Sequence, residues 1–130
     1  MNEFDLGYDA YQETNTEAQA ATADPHKLVV MLIDGLLDEI ARAEGHIVGR
    51  RYEHKGKSIS KCLDIVSGLD AALDMEEGGE VAANLHHLYE YCANTLYNIS
   101  ISNDVEELST VVNVMEKLKE GWANIGRDAA

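Results

Sequence analysis

The chain has five histidines, the side chains best suited to bind a transition metal, but their spacing does not favour a metal site. His86 and His87 are adjacent, so on a helix their side chains point about 100° apart and would share one ion poorly. No His-x-x-x-His or Glu-x-x-His spacing occurs, and di-iron bundles use Glu-x-x-His pairs. The sequence therefore predicts surface histidines, no metal and no other cofactor.

The cysteines, the glycine pair and the paired acids do not support catalysis or phosphate binding either. Cys62 and Cys92 lie in apolar periodic segments, where burial disfavours the thiolate, and free thiols are favoured over a disulfide because nothing marks the protein as secreted. Gly78-Gly79 lacks the preceding strand and the spacing of a phosphate loop. Glu76-Glu77 and Glu106-Glu107 are typical of solvated loop and cap positions. The sequence predicts a protein that is not an enzyme.

A phosphotransfer histidine is the remaining chemical alternative. It would need an exposed position in mid-helix with a basic residue nearby, and His86 or His87 meets the first condition. Their neighbours include Leu85, Tyr89 and Glu90, and no Lys or Arg lies within one turn. A four-helix adaptor or phosphotransfer signalling bundle is therefore kept as the alternative function.

Composition indicates one helical domain. The chain has 130 residues, 45% of them apolar, and a single proline, Pro25, which suits one hydrophobic core and long helices. The net charge of −14 disfavours nucleic acid and anionic membranes as partners. The longest apolar run, 28–33, is far too short to cross a bilayer. No signal peptide is recognisable, so we expect a cytoplasmic protein.

Capping residues and glycines divide the chain into an arm and four helices. Asp24-Pro25 is a strong helix start, and the first helix should reach about residue 49. A polar connection over 49–57 follows, then a second helix that ends at Gly78-Gly79, and a third from about Glu80. Asn103-Asp104 should cap the fourth helix. We predict an all-α, antiparallel up-down four-helix bundle over 24–126, preceded by an N-terminal arm or short extra helix over 1–23.

Each helix carries an apolar stripe that should face the core. The stripes comprise Val29, Leu32, Ile33, Leu36, Ile40, Ala43 and Ile47; then Ile59, Cys62, Leu63, Val66, Leu69 and Leu73; then Val81, Leu85, Leu88, Tyr89, Cys92, Leu96 and Ile99; and finally Leu108, Val111, Val112, Met115, Leu118, Trp122 and Ile125.

These stripes leave apolar residues unused. A helix in a solitary bundle needs an apolar arc of about 100° or slightly more. The helices of this chain carry apolar residues outside such an arc. Either the arm covers the surplus, or the surplus forms a groove for the amphipathic helix of a partner. The residues left over are Leu28, Val30, Met31, Leu37, Ile65, Tyr91, Tyr97 and Val114.

Several segments, in order, resemble the flagellin-specific export chaperones of bacteria, the FliS family. Tyr8-x-x-Tyr11 is followed by Ala23-Asp24-Pro25-His26-Lys27-Leu28 and by Met31-Leu32-Ile33-Asp34-Gly35. Leu73-Asp74-Met75-Glu76-Glu77-Gly78-Gly79-Glu80-Val81-Ala82 comes next, and Asn103-Asp104 and Trp122 fall where expected. Each segment alone is weak, but their joint order covers nearly the whole chain. Ile33 departs from the family, which usually has an aromatic residue there.

The resemblance implies a chaperone that binds the disordered C-terminal segment of flagellin, prevents premature polymerisation and presents the subunit to the type III export gate. It also implies that the arm can occupy part of the partner's groove. A monomer and a weak homodimer both remain open for the empty protein. The expected partner-binding residues, each with ordinary core packing as the alternative, are Tyr8, Tyr11, Leu28, Met31, Leu37, Ile65, Tyr91, Tyr97 and Val114.

Overall fold

A computed structural model describes the backbone of residues 24–129 and the side chains of residues 24–124. Over this range the chain forms four α-helices: α1 (Pro25–Val48), α2 (Tyr52–Ala71), α3 (Met75–Ser102) and α4 (Val105–Ala129). The described backbone contains no strand, and the predicted all-α class is confirmed. The predicted arm, with Tyr8 and Tyr11, lies outside the described residues.

The helices form a ring in which each packs against two neighbours. α1 packs against α2 and α4, and α3 packs against the same two helices. Cross-helix bonds show that neighbours run antiparallel: Lys55, near the start of α2, bonds to Ser100 near the end of α3. His26 at the start of α1 likewise stacks on Trp122 near the end of α4. The predicted up-down bundle is therefore confirmed.

Aspartate side chains cap three of the helices. Asp24 accepts from the backbone N–H of Lys27 at 3.3 Å, ahead of Pro25 in the first turn of α1. Asp74 accepts from Glu77 at 3.0 Å and Asp104 from Glu106 at 3.0 Å. These carboxylates satisfy amide groups that have no partner within the helix, so the starts predicted at Asp24 and Asp104 are confirmed.

The connection between α1 and α2 is shorter than predicted. α2 begins at Tyr52, so most of the expected polar connection over 49–57 is helical. Arg50 takes a left-handed conformation, with φ of 58°, which turns the chain sharply. The Arg51 guanidinium donates to the carbonyl of Gly45 at 3.1 Å and to His46 Nδ1 at 3.1 Å. The predicted connection was too long because the helix starts directly after Arg51, whose side chain bonds back to the end of α1.

The two glycines predicted to break the chain before the third helix serve different purposes. Gly79 has φ of 53° and ψ of −126°, a conformation open in practice only to glycine. At Gly78, an added Cβ would lie 2.7 Å from the Cβ of Ala82, so a side chain would force the two turns apart. The break is confirmed, but a helical turn from Met75 precedes it, where the prediction began the helix at Glu80.

The core follows most of the predicted stripes; Val81 is the clearest exception, and Ile125 lies outside the described side chains. Val81 was expected in the core but is 67% exposed, because it lies directly after the break at Gly79 and near the end of the bundle. Both cysteines are buried and free, as predicted, and burial raises the pKa of Cys62 to about 12 and that of Cys92 to about 11. Neither thiol is therefore a nucleophile at neutral pH.

Candidate functional site

An apolar cavity of about 330 Å³ opens at the end of the bundle where α1 and α3 begin and α2 and α4 end. We call it the end socket. The short turn Ala72–Asp74 and Gly78 of the glycine break contribute to its lining. Its lining is Pro25, Leu28, Val29, Leu69, Ala72, Leu73, Asp74, Gly78, Val81, Ala82, Leu85, Tyr89 and Trp122.

One wall of the end socket is formed by a contact between His26 and Trp122. Their rings stack with centroids 5.8 Å apart and planes 8° from parallel. The indole N–H donates to the His26 carbonyl at 3.2 Å, and His26 Nε2 bonds to the Trp122 carbonyl. These bonds connect residues 96 positions apart and hold the indole at the socket.

A second depression, the α1–α2 groove, has a volume of about 410 Å³ and lies between those helices. Gly35 and Ile65 lie close together in this groove, since an added Cβ at Gly35 would lie 4.0 Å from Ile65 Cδ1. The lining is Met31, Leu32, Gly35, Asp38, Glu39, Arg42, Lys61 and Ile65. The groove is therefore apolar towards the end socket and charged at its other end.

The charged end of the α1–α2 groove contains a buried acid. Glu39 is only 7% exposed, and its carboxylate accepts from Arg42 Nη1 at 3.0 Å. Arg42 itself is exposed, so the pair presents a guanidinium at the groove and keeps the carboxylate beneath it.

A third depression, the α3–α4 groove, has a volume of about 310 Å³ and is lined by Leu88, Val114, Lys117 and Leu118. In a ring of four helices the α3–α4 face is opposite the α1–α2 face. The bundle therefore carries apolar depressions on two opposite faces and at one end.

Both grooves begin within one helical turn of the end socket. On every helix, a residue that lines the end socket lies one turn from a residue that lines a groove, and such residues are neighbours on a helix surface. The pairs are Leu28 and Leu32 on α1, Ile65 and Leu69 on α2, Leu85 and Leu88 on α3, and Leu118 and Trp122 on α4. We call the combined surface the apolar track. Its three parts lie on one face, at one end and on the opposite face of the bundle.

Comparison with known proteins identifies the family of this chain. A family profile described as "Flagellar protein FliS" matches residues 7–129. The chain belongs to the FliS family.

Individual relatives agree with the family assignment along most of the chain. The chain is 40% identical over 115 residues to the flagellar secretion chaperone FliSB of Pseudomonas aeruginosa, covering 88% of this chain and 91% of the relative. It is 34% identical over 125 residues to the flagellar secretion chaperone FliS of Salmonella typhimurium, covering 95% and 93%. FliS proteins are flagellar export chaperones and not enzymes, so this chain is a chaperone of flagellum biogenesis.

The expected partner-binding residues of this FliS chain fall in several places. Leu28 lines the end socket, Met31 and Ile65 line the α1–α2 groove together, and Val114 lines the α3–α4 groove. Leu37 is half-buried against the core and lines none of these depressions. Tyr91 and Tyr97 are 51% and 59% exposed on α3, outside them. The structure therefore gathers four of the described candidates onto the apolar track.

Sequence reasoning missed several residues of the track. Trp122, Leu73 and Leu85 were assigned to the core, because periodicity does not show that a bundle end splays open. Gly35 was noted only as part of a motif, although a glycine within a long helix is itself a signal of a close approach or an open site. Glu39 and Arg42 gave no signal, since one acid and one base three residues apart are common on helix surfaces.

The histidines of the phosphotransfer alternative lie among carboxylates. His86 Nδ1 bonds to Asp70 on α2 at 2.7 Å, and its Nε2 lies 3.4 Å from Glu90. His87 bonds to Glu90 at 3.3 Å. A phosphoryl donor would meet negative charge here, so this site does not favour phosphotransfer. The described residues contain no group of three or more His, Cys, Asp or Glu side chains able to hold a metal ion.

The Asp70–His86 contact makes the stability of the bundle pH-dependent. The hydrogen bond to Asp70 raises the pKa of His86 above its ordinary value of 6.5, against a smaller opposing effect of burial. A raised pKa means that the stabilisation is complete below the unfolded-state value and is lost as the pH rises through the folded-state value. We expect wild type to lose a little stability in urea between about pH 6 and about pH 8, and the His86→Gln variant to lose less.

His87→Gln is the matched control for this pH prediction, since His87 is more exposed and bonds only within its own helix. It should keep the pH dependence of wild type. Identical pH profiles for wild type and His86→Gln would show that the Asp70 contact contributes nothing in solution.

Described residues include no helix long and apolar enough to cross a bilayer.

Proposed function

We propose that this FliS chain binds the disordered C-terminal segment of flagellin in the cytoplasm, keeps it from polymerising, and presents it to the type III export gate. The observation that carries the proposal is the apolar track, which the four described helices leave open on two faces and one end of the bundle. Apolar depressions that lie this close together on one bundle support a partner site.

The shape of the track explains why a disordered partner is favoured. A rigid domain could contact one face of the bundle, whereas an unfolded segment can follow the track across the end and reach both grooves. Such a segment gains helix as it lays its apolar side chains into preformed grooves. Ordering it costs about 2–5 kcal/mol, so contact on several surfaces is needed to offset that cost.

We also propose that residues 1–23 cover part of the track when no partner is bound. The arm carries the apolar residues Phe4, Leu6, Tyr8 and Tyr11, and it joins α1 at Asp24, next to the socket residue Pro25. An arm that must be displaced lowers the apparent affinity for the partner, since only the uncovered state is competent to bind.

Calorimetric titration with a peptide of the last 40 or so residues of flagellin from the same organism, about two helices of the length of α2, tests the proposal. We expect saturable one-to-one binding with a negative heat-capacity change, which reports burial of apolar surface. Because Trp122 is the only tryptophan of the chain and lines the end socket, its emission should shift on binding. A folded protein that shows neither heat nor a shift would rule the flagellin proposal out.

Substitution of two exposed aliphatic residues on α3 tests where the partner binds. Val81 is 67% exposed and lines the end socket, whereas Ile101 is 69% exposed at the other end of α3, outside the track. We expect Val81→Asn to weaken peptide binding about ten-fold, since it replaces apolar area that the partner buries. Ile101→Asn should bind as wild type does. Equal affinities for the two variants would place the partner elsewhere on the bundle.

A further inference from the structure

The end socket is apolar inside, but several carboxylates lie beside its lining residues in the chain. Asp74 lines the socket, and three exposed acids directly adjoin lining residues in the chain: Asp24 beside Pro25, Glu77 beside Gly78, and Glu80 beside Val81. Glu76 is exposed in the same turn of α3. We call these five residues the acidic rim.

Among the side chains that the structure describes, residues 24–124, little positive charge compensates the acidic rim. Lys27 is exposed at this end of the bundle. Lys119 lies one turn from Trp122, but its ammonium group is 2.6 Å from the carboxylate of Asp34, which also raises the pKa of Lys119. The rim therefore adds negative charge beside an opening with low-dielectric walls, an arrangement that strengthens the field at the opening.

The chain's own arm does not match this potential. Residues 1–23 contain five acids, Glu3, Asp5, Asp9, Glu13 and Glu17, and no Lys or Arg. Like charges disfavour a bound arm, even though its aromatic side chains suit an apolar cavity. A segment that has similar apolar side chains flanked by Lys or Arg would instead be attracted by the acidic rim.

We propose that the end socket selects its occupant by charge: it takes an apolar side chain of the client that is flanked by Lys or Arg, in preference to the acidic arm. The inference rests on the proposed function for the identity of the client. The apolar side chain fills the socket, while the flanking cations stay at the solvated rim. Each exposed ion pair contributes only about 0.2–1 kcal/mol, so the rim acts chiefly on partner choice and on the rate of encounter.

Two matched double substitutions test the rim in the full-length protein. Glu76→Gln/Glu77→Gln and Glu106→Gln/Glu107→Gln each remove two exposed acids from the first turn of a helix, but only the first pair lies at the socket. We expect the rim variant to bind the flagellin peptide about five-fold more weakly at low salt, and its affinity to change less with salt. The control variant should match wild type in both respects.

A second probe makes the test independent of flagellin. Two synthetic amphipathic peptides with identical apolar residues carry either Lys or Glu beside a central Leu, and Trp122 emission reports their binding. Wild type and the Glu106→Gln/Glu107→Gln control should favour the Lys peptide by about ten-fold, and Glu76→Gln/Glu77→Gln should lose most of that preference.

The outcomes separate this inference from the proposed function. Equal binding of the two peptides by wild type, or equal effects of the two double substitutions, would overturn charge selection even if flagellin binds. Preference for the Lys peptide together with no flagellin binding would support charge selection and overturn the flagellin proposal.

Discussion

Replacing Lys55 with Met should destabilise the bundle by about 3 kcal/mol, because it removes a buried ammonium group that makes two charge-assisted hydrogen bonds. Lys55 is 8% exposed, and its Nζ donates to the Ser100 carbonyl and to Asn103 Oδ1, both at 2.8 Å. Asn103 ends α3 in a left-handed conformation with φ of 58°. The lysine thus satisfies acceptors at the end of α3, where the helix dipole also favours a cation.

Methionine keeps most of the length and apolar surface of lysine, so the loss measured by urea unfolding would report the polar contacts rather than packing. Lys61→Met is the control, since Lys61 is exposed on the same helix, and it should change stability by about 0.5 kcal/mol or less. Asn103→Gly keeps the left-handed turn but removes one acceptor, and it should cost less than Lys55→Met. A change below about 1 kcal/mol for Lys55→Met would show that water replaces the lysine without penalty.

Lys55 also shows why the sequence predicted the helices better than the side-chain contacts between them. The stripes, the aspartate caps and the Gly78-Gly79 break depend on neighbours along the chain, and the structure confirms them. The partners of Lys55 lie 45 and 48 residues away, so nothing local distinguishes this buried lysine from the exposed bases around it. It was assigned to a polar loop for that reason.

The site was predictable to the extent that it depends on helical faces. Met31 and Ile65 were singled out as apolar residues outside the stripes, and they line one groove. The end socket was not foreseen, because it depends on how four helix ends splay, and its residues Leu73 and Trp122 obey the same periodicity as the core. Leu37 flanks the stripe and packs against the core, so its role in partner binding stays a prediction.

Gly35 should be the position where stability and binding conflict most strongly. It lies within α1 and lines the α1–α2 groove, and glycine costs a helix about 0.8–1.0 kcal/mol relative to alanine. A Cβ at Gly35 would meet only Ile65 Cδ1, at an ordinary 4.0 Å, so a larger side chain is accommodated and extends into the groove. We expect Gly35→Leu to stabilise the bundle by about 0.5–1 kcal/mol and to weaken flagellin-peptide binding about 100-fold, a loss typical of a blocked hot spot.

Gly56→Leu separates these two effects. Gly56 lies within α2, an added Cβ there would meet nothing within 4 Å, and it lines none of the three depressions. Its substitution should raise stability through helix propensity alone and leave peptide affinity at the wild-type value. If Gly35→Leu binds as tightly as Gly56→Leu does, the partner does not use the α1–α2 groove, and the bound segment would be confined to the end socket and the α3–α4 groove. If Gly35→Leu is more stable but unable to bind, Gly35 keeps the groove open at a cost in helix stability. The groove is then a binding surface and not a packing defect.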